Sequence, residues 1–306
     1  MQRYIVMKLF QMLISLLLLS IVIFGLVRVT GDPAALMLPE TGTAEDYRYM
    51  KERLGLDKPL HVQYALFIVD ALKGDFGTSY STRRPVMVSI MEALPKTAQL
   101  AGSAFLIAVF FGILLGILGA VKRSGPLDTL ARFIAGLGQS LPTFWVGLVL
   151  IQIFAVDLRI LPPSGMGDWK SYLMPAFNLS LFMMAGLIRL LRSSMLEVLD
   201  SEYILLARIK GLPERVVIWK HALRNSLLAV LSFAGVYIAI LVTHTVLVET
   251  VFTWPGFGRL AYRAIVNRDF PLIQGIVMMA AVIVMGANLL TDILYAYVDP
   301  RIRGKD

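Results

Sequence analysis

Charged positions along this chain fall in clusters separated by long uncharged blocks. Six runs contain no Asp, Glu, Lys or Arg: 9–27, 97–121, 133–156, 171–188, 225–248 and 270–291. Each reaches the roughly 17–25 residues with which a helix, rising about 1.5 Å per residue, crosses about 30 Å of hydrocarbon. The pattern predicts an all-α polytopic membrane protein with six transmembrane helices. The first run is too long for the h-region of a signal peptide and no A-x-A site follows it, so it reads as an uncleaved anchor.

Two polar stretches interrupt the blocks. The first, 31–96, carries the breakers Gly31-Asp32-Pro33, Leu38-Pro39, Gly42, Lys58-Pro59, Gly74-Asp75-Phe76-Gly77, Arg84-Pro85 and Leu94-Pro95. Between them, Ala44 to Leu54 and Leu60 to Leu72 have apolar residues at i, i+3 and i+4, which predicts two short helices in an outer cap. Such a cap would shield a substrate mouth, touch an external partner, or simply support the membrane helices. The second stretch, 200–225, is a charged helix, turn and helix inserted into an apolar chain, and it must project into water.

Composition agrees: 57% of residues are hydrophobic and 16% charged, and the mean hydropathy is +0.72. Placing the N-terminus in the cytoplasm puts fifteen bases and seven acids on the inner side, the whole of the formal charge of +8. Among these bases are Arg123, Arg192, Arg208, Lys210, Arg215, Lys220 and Arg224. Basic residues in short loops favour the cytoplasm, so both termini are expected inside. The same charge attracts membrane lipid; no basic segment is interleaved with exposed aromatics, which argues against nucleic acid as a partner. The absence of cysteine excludes disulfide frameworks and thiolate metal sites.

The inner corner has legible local chemistry. Arg208 and Lys210 suit the C-terminal end of a helix, Gly211 suits the left-handed residue that stops it, and Pro213 with Glu214 suits the start of the next. On the second helix, Val216, Trp219 and Leu223 share a face, leaving Arg215, Lys220 and Arg224 exposed. An apolar ridge flanked by charge fits a groove on another protein or a lipid surface.

Other signals are weaker. Gly112, Gly116 and Gly119 form a small-residue stripe for close helix packing. Pro142 and Pro175 each remove a backbone hydrogen bond and are expected to bend their helices. His244, Asn178 and Asn288 lie inside the runs and are expected to face protein or a cavity. Asp292 lies near the end of the last span. Gly165-Met166-Gly167-Asp168 matches a short string of intramembrane aspartyl proteases, but it falls in an outer loop with no second intramembrane Asp and reads as a turn. No G-x-x-x-x-G-K-[ST] loop and no H-E-x-x-H occurs, so the chain is expected not to be an enzyme.

The corner resembles the EAA loop of ABC-importer permeases of the dipeptide, oligopeptide and nickel group, through Glu202-Tyr203, Ala207-Arg208, Lys210-Gly211, His221 and Leu223-Arg224-Asn225. Further blocks agree end to end: Gly31-Asp32-Pro33-Ala34, Leu54 to Leu60, Gly74 to Gly77, Val248-Glu249, Val251-Phe252, Trp254 to Leu260, Arg268 to Pro271 and Asp299-Pro300-Arg301. The E-A-A positions themselves read Leu205-Leu206-Ala207, so a role for the family's first Glu does not transfer to Leu205.

The resemblance implies a type I ABC importer permease fold in a bacterial inner membrane. It implies an anchor helix at 1–30, a periplasmic cap at 31–96 and a five-helix core at 97–298 with a coupling loop at 190–224, followed by a cytoplasmic tail at 299–306. It also implies a second homologous permease, two ATP-binding cassette subunits that bind ATP, and a periplasmic or lipid-anchored substrate-binding protein. No cofactor is implied for this chain. The coupling residues would be Glu202, Tyr203, Ala207, Arg208, Lys210, Gly211, Pro213, His221, Arg224 and Asn225. The implied cargo is di- or oligopeptides; nickel complexes, glutathione-like peptides and oligosaccharides are alternatives within the type. A self-sufficient channel or ion-coupled carrier is the alternative of another class.

Overall fold

Long uncharged blocks become long helices, because a helix satisfies its backbone polar groups internally. In the computed structural model, residues 2–31, 34, 35, 38, 43–53 and 55–298 are described; within helices, the side chains at 2–5, 228–229, 231–236, 238–243, 292 and 294–298 are not. Asp32-Pro33, Pro39, Gly42, Leu54, the side chain of Asp292 and the expected tail 299–306 thus lie outside the described residues.

The helices are α1 (Gln2–Thr30), α2 (Ala44–Arg53), α3 (Leu60–Leu72), α4 (Val86–Val121), α5 (Pro126–Ser140), α6 (Thr143–Leu150), α7 (Lys170–Leu199), α8 (Glu202–Ile209), α9 (Glu214–Val216), α10 (Leu223–Val251), α11 (Phe257–Val266) and α12 (Phe270–Val298). π-helical turns extend α6 over Ile151–Asp157 and link α9 to α10 over Val217–Ala222. Among the described residues the only extended pairing is one isolated bridge, Thr78 with Pro85.

Among the described residues four helices are long and apolar enough to cross a membrane: Val6–Thr30 within α1, α4, α7 and Phe270–Thr291 within α12. A fifth span results if α5 and α6 with its π turn are one bent element. The expected six is therefore not reached among the described residues: the run 225–248 lies inside α10, many of whose side chains are not described.

Two expectations need correcting in detail. The run 133–156 is not one straight helix: α5 and the α6 segment meet at 111°. Leu141 and Pro142 are extended there, with ψ of 133° and 129°, because Pro142 has no N–H and its ring pushes the preceding residue out of the helical region. Pro95, expected as a breaker, lies inside a helix, and α4 starts at Val86, well before the run at 97; Pro175 lies within α7.

The chain divides into two compact units, 96–258 and the combination of 1–95 with 259–306. In the first, α7 is the central helix, with Met183, Leu187, Ile188, Leu191 and Met195 all buried. Helices in lipid gain little from hiding apolar surface and associate through close van der Waals contact instead. The glycine stripe serves that purpose: a Cβ on Gly112 would lie 2.7 Å from Leu187 Cβ, and one on Gly116 3.0 Å from Leu191 Cβ. A buried carboxylate, Asp128 in the first turn of α5, accepts from Arg192 Nε at 2.6 Å, Arg192 Nη2 at 3.1 Å and the Ser124 amide at 3.0 Å.

In the other unit, α3 is fastened to α1. Ser20 pairs with the Tyr64 hydroxyl at 2.8 Å, Arg28 donates to Gln63 Oε1 at 3.0 Å, and Phe24 meets the rings of Tyr64 and Phe67. Before α12, buried Asp269 accepts from Ser79 Oγ (2.6 Å), Ser81 Oγ (2.7 Å) and the amides of Tyr80 and Ser81 (both 3.1 Å). Burial raises the Asp269 pKa, but these four donors outweigh it and hold the carboxyl below its ordinary value.

Candidate functional site: the helical corner

α7 stops at Asp200, and extended Ser201 (ψ 152°) starts α8, its carbonyl accepting from the amides of Ile204 and Leu205 at 3.1 Å. Of α8's side chains, Ile204 and Ala207 are buried; they join Met195, Val217 and Ala222 in one core cluster. Glu202, Tyr203, Leu205, Leu206, Arg208 and Ile209 face outward. Ala207, expected among the contact residues, is only 7% exposed and therefore anchors the corner.

The stop is a Schellman motif. Gly211 has φ +76°, its amide donates to Arg208 O at 2.9 Å, and the Leu212 amide donates to Ala207 O at 3.3 Å. These two bonds take up carbonyls that the end of a helix otherwise leaves unpaired. The left-handed conformation costs about 1–2 kcal/mol for any residue with a Cβ, which is why glycine suits the position. Pro213 (ψ 142°) then leads into α9, its carbonyl accepting from Val216 at 2.8 Å. Across the bend, Arg208 grips Glu214 through Nη2 to Oε1 at 2.7 Å and Nε to Oε2 at 3.3 Å. This hydrogen bond holds Glu214 below the usual carboxylate range and raises Arg208.

The π turn changes the second helix. Its wider winding displaces the 3.6-residue register, so the buried positions are Val217, Ala222 and Leu223. Trp219, expected to share a face with Leu223, is 58% exposed instead. His221 is half-buried, while Lys210, Pro213, Lys220, Arg224 and Asn225 are exposed. Asn225 Nδ2 donates to the Tyr203 hydroxyl at 2.7 Å, tying the start of α10 back to α8. The corner thus presents an apolar surface containing Tyr203, Leu205, Leu206, Ile209 and Trp219, fringed by Arg208, Lys210, Lys220 and Arg224.

Sequence reasoning missed the brace at the base of the corner. Arg192 binds Asp128, and Arg123 lies 3.5 Å from Asp200. The available signal was Asp128, an acid in the first turn after Pro126, where a helix N-terminus favours negative charge.

Other expected polar residues have quieter surroundings. His244 stacks on Phe182 at 5.0 Å. Asn178 is buried and donates to Thr143 O at 3.2 Å, while Asn288 is exposed on this chain, against expectation. Asp168 accepts from Ser171 Oγ in the loop before α7, so the Gly165–Asp168 string is a turn.

A second set of motif residues is built quite differently. Glu249 and Trp254 are fully buried. Thr97 donates to Glu249 at 2.5 Å and accepts from the Phe257 amide at 2.8 Å, and Trp254 Nε1 donates to Lys96 O at 3.0 Å. A Cβ on Gly256 would overlap the Glu249 carboxylate, and one on Gly258 would lie 2.7 Å from Val246 Cα.

Several apolar helices long enough to span a membrane, with an exposed helical corner, form a fold that a solved structure shares. The inward-facing MetNI methionine ABC transporter gives a TM-score of 0.59 over 70% of this chain and 97% of that one, at 15% identity. Sequence comparison extends further. Residues 112–304 match the binding-protein-dependent transport system inner membrane component, and residues 1–101 match its N-terminal counterpart. The chain belongs to that family: it is an inner-membrane permease of an ABC importer that works with ATPase and substrate-binding partners. It is 38% identical to the glutathione transport system permease protein GsiC of Salmonella paratyphi A and 36% identical to that of Escherichia coli, each over 100% of both chains.

Proposed function

We propose that this permease forms the translocation path of an importer for short peptides of the glutathione type and is driven through the corner at 200–225. The observation that carries the reading is the corner itself, where a locally closed bend anchored by Ile204 and Ala207 turns an apolar and basic surface outward. An ATPase subunit docked there moves α8 as a body, and the movement passes into α7 and the π turn, against which α8 packs. The chain pairs with a second homologous permease on two ATP-binding cassette subunits that bind and hydrolyse ATP; this chain contributes no ATPase site. A substrate-binding protein delivers cargo to the outer face, and both termini lie in the cytoplasm. Full-length similarity to permeases named for glutathione transport supports a peptide cargo.

Gly211→Trp tests the drive. A Cβ at Gly211 meets nothing within 4 Å, so the indole would project from the corner into its docking surface while also straining the turn. In proteoliposomes containing the complete complex, the variant is expected to insert and assemble but to lose ATP-driven uptake and the ATPase stimulation given by loaded binding protein. Coupled uptake at the wild-type rate would overturn the reading. Identifying the ligand retained by the co-purified binding protein tests the cargo independently.

A further inference from the structure

Between α1, α3 and α12 lies a groove of about 560 Å³, inside the range of about 300–1,000 Å³ typical of ligand pockets. Its walls include Leu13, Leu17 and Ser20 of α1, Leu72 of α3, and Met279 and Val282 of α12. Among the described residues Ser20 is the one polar side chain lining it, and its hydroxyl is already engaged with Leu17 O at 2.7 Å and the Tyr64 hydroxyl at 2.8 Å. The groove therefore offers nothing to a polar occupant.

Its walls are also held in place. A Cβ on Gly275 would lie 2.5 Å from Val86 Cγ1 and 3.3 Å from Phe76 Cβ, so α12 is seated closely at that level. The Ser20–Tyr64 bond and the rings of Phe24, Tyr64 and Phe67 fasten α3 to α1. Between these two fixed points the space persists, and an unfilled apolar space forfeits dispersion contacts along its whole lining.

What fills it follows from continuity. Leu13, Leu17, Leu72 and Val282 line the groove and are also 65%, 51%, 83% and 42% exposed, so it opens onto the apolar surface that the spans of an inner-membrane protein turn to hydrocarbon. We propose that this groove is a binding site for one acyl chain of a membrane phospholipid, held between α1, α3 and α12. The adaptable thioethers of Met87, Met278 and Met279 suit a flexible chain without a fixed shape. The occupied groove fastens the outer insertion to the anchor helix and the last span.

The complete importer in nanodiscs, with a phospholipid carrying a diazirine midway along one acyl chain, provides the test. After irradiation, adducts at Leu17 and Met279 are expected to saturate and to be competed by unlabelled phospholipid, whereas adducts at exposed Phe110 on α4 rise linearly. Ala71→Phe, which fills the groove, should abolish the saturable labelling and leave Phe110 labelling unchanged; Val282→Phe is the second variant should the first not assemble. Delipidation should lower the unfolding midpoint by about 2–4 °C, restored by long-chain phospholipid. Non-saturating labelling at the same yield in the groove and at Phe110 would mean general lipid contact and overturn the site. Cross-links joining Leu17 to another protein chain would overturn it in favour of a protein interface.

Discussion

The corner at 200–225 and the turn at 249–258 both carry residues through which this chain resembles its family, yet they are built on opposite plans. The corner hides Ile204, Ala207, Val217, Ala222 and Leu223 but leaves most of its motif residues exposed; its ion pair, Arg208 with Glu214, is 42% and 57% exposed. The turn hides its motif: Glu249 and Trp254 are fully buried, and Gly256 and Gly258 leave no room for a Cβ. Similar sequence prominence therefore reflects two requirements. One set is exposed, as the proposed docking requires, and the other lets the chain close on itself.

Substitutions should separate the two plans by size of effect. Trp254→Ala removes a fully buried ring, its bond to Lys96 O and its contact with Tyr172, and should destabilise by about 3–5 kcal/mol in thermal or denaturant unfolding of the purified protein. A loss under about 1 kcal/mol would mean that the turn is not a packing element. The glycines sharpen the contrast. Gly258→Ala must displace the backbone at Val246 and should cost about 1–3 kcal/mol or more. Gly211→Ala meets open space and pays only for its backbone conformation, about 1 kcal/mol, and Asn at 211 should be better tolerated than Ala. Equal losses at the two glycines would erase the distinction.

Acid probes a third arrangement, the buried Asp269 and its four donors. Its carboxyl titrates below the unfolded value of about 3.9, so its contribution is complete above that value and disappears as the pH falls through the folded pKa. Hydrogen exchange at the Tyr80 and Ser81 amides should accelerate below about pH 4, and Asp269→Asn should remove that pH dependence. Arg208→Ala completes the order with the smallest effect, about 0–1 kcal/mol, declining with added salt, because both partners of the ion pair are hydrated.

Much of the fold was legible because lipid imposes a coarse rule. Length without charge located α1, α4, α7 and α12, and helical spacing located α2 and α3 to within a residue or two. The corner's stop was readable because Gly211 and Pro213 act through local backbone geometry. Periodicity failed at Trp219, since a π turn inserts a residue into the winding and nothing in Val217–Ala222 announces it. The resemblance places Ala207 among the coupling residues, and only tertiary packing turns it inward. The Asp128–Arg192 pair joins residues 64 positions apart, and no local pattern specifies which arginine an acid will meet.

Ile204 and Ala207 are three positions apart, so the buried side chains of α8 lie on one face and less than one turn apart. The Asn225–Tyr203 hydrogen bond adds a further tie on the neighbouring face. The Schellman closure and the Arg208–Glu214 clasp stiffen the bend beside it, so displacement applied at Ile209 or Leu212 is carried to the socket instead of being lost in unwinding. Under the proposed drive, the corner acts as a short stiff lever whose fulcrum is the buried pair Ile204 and Ala207.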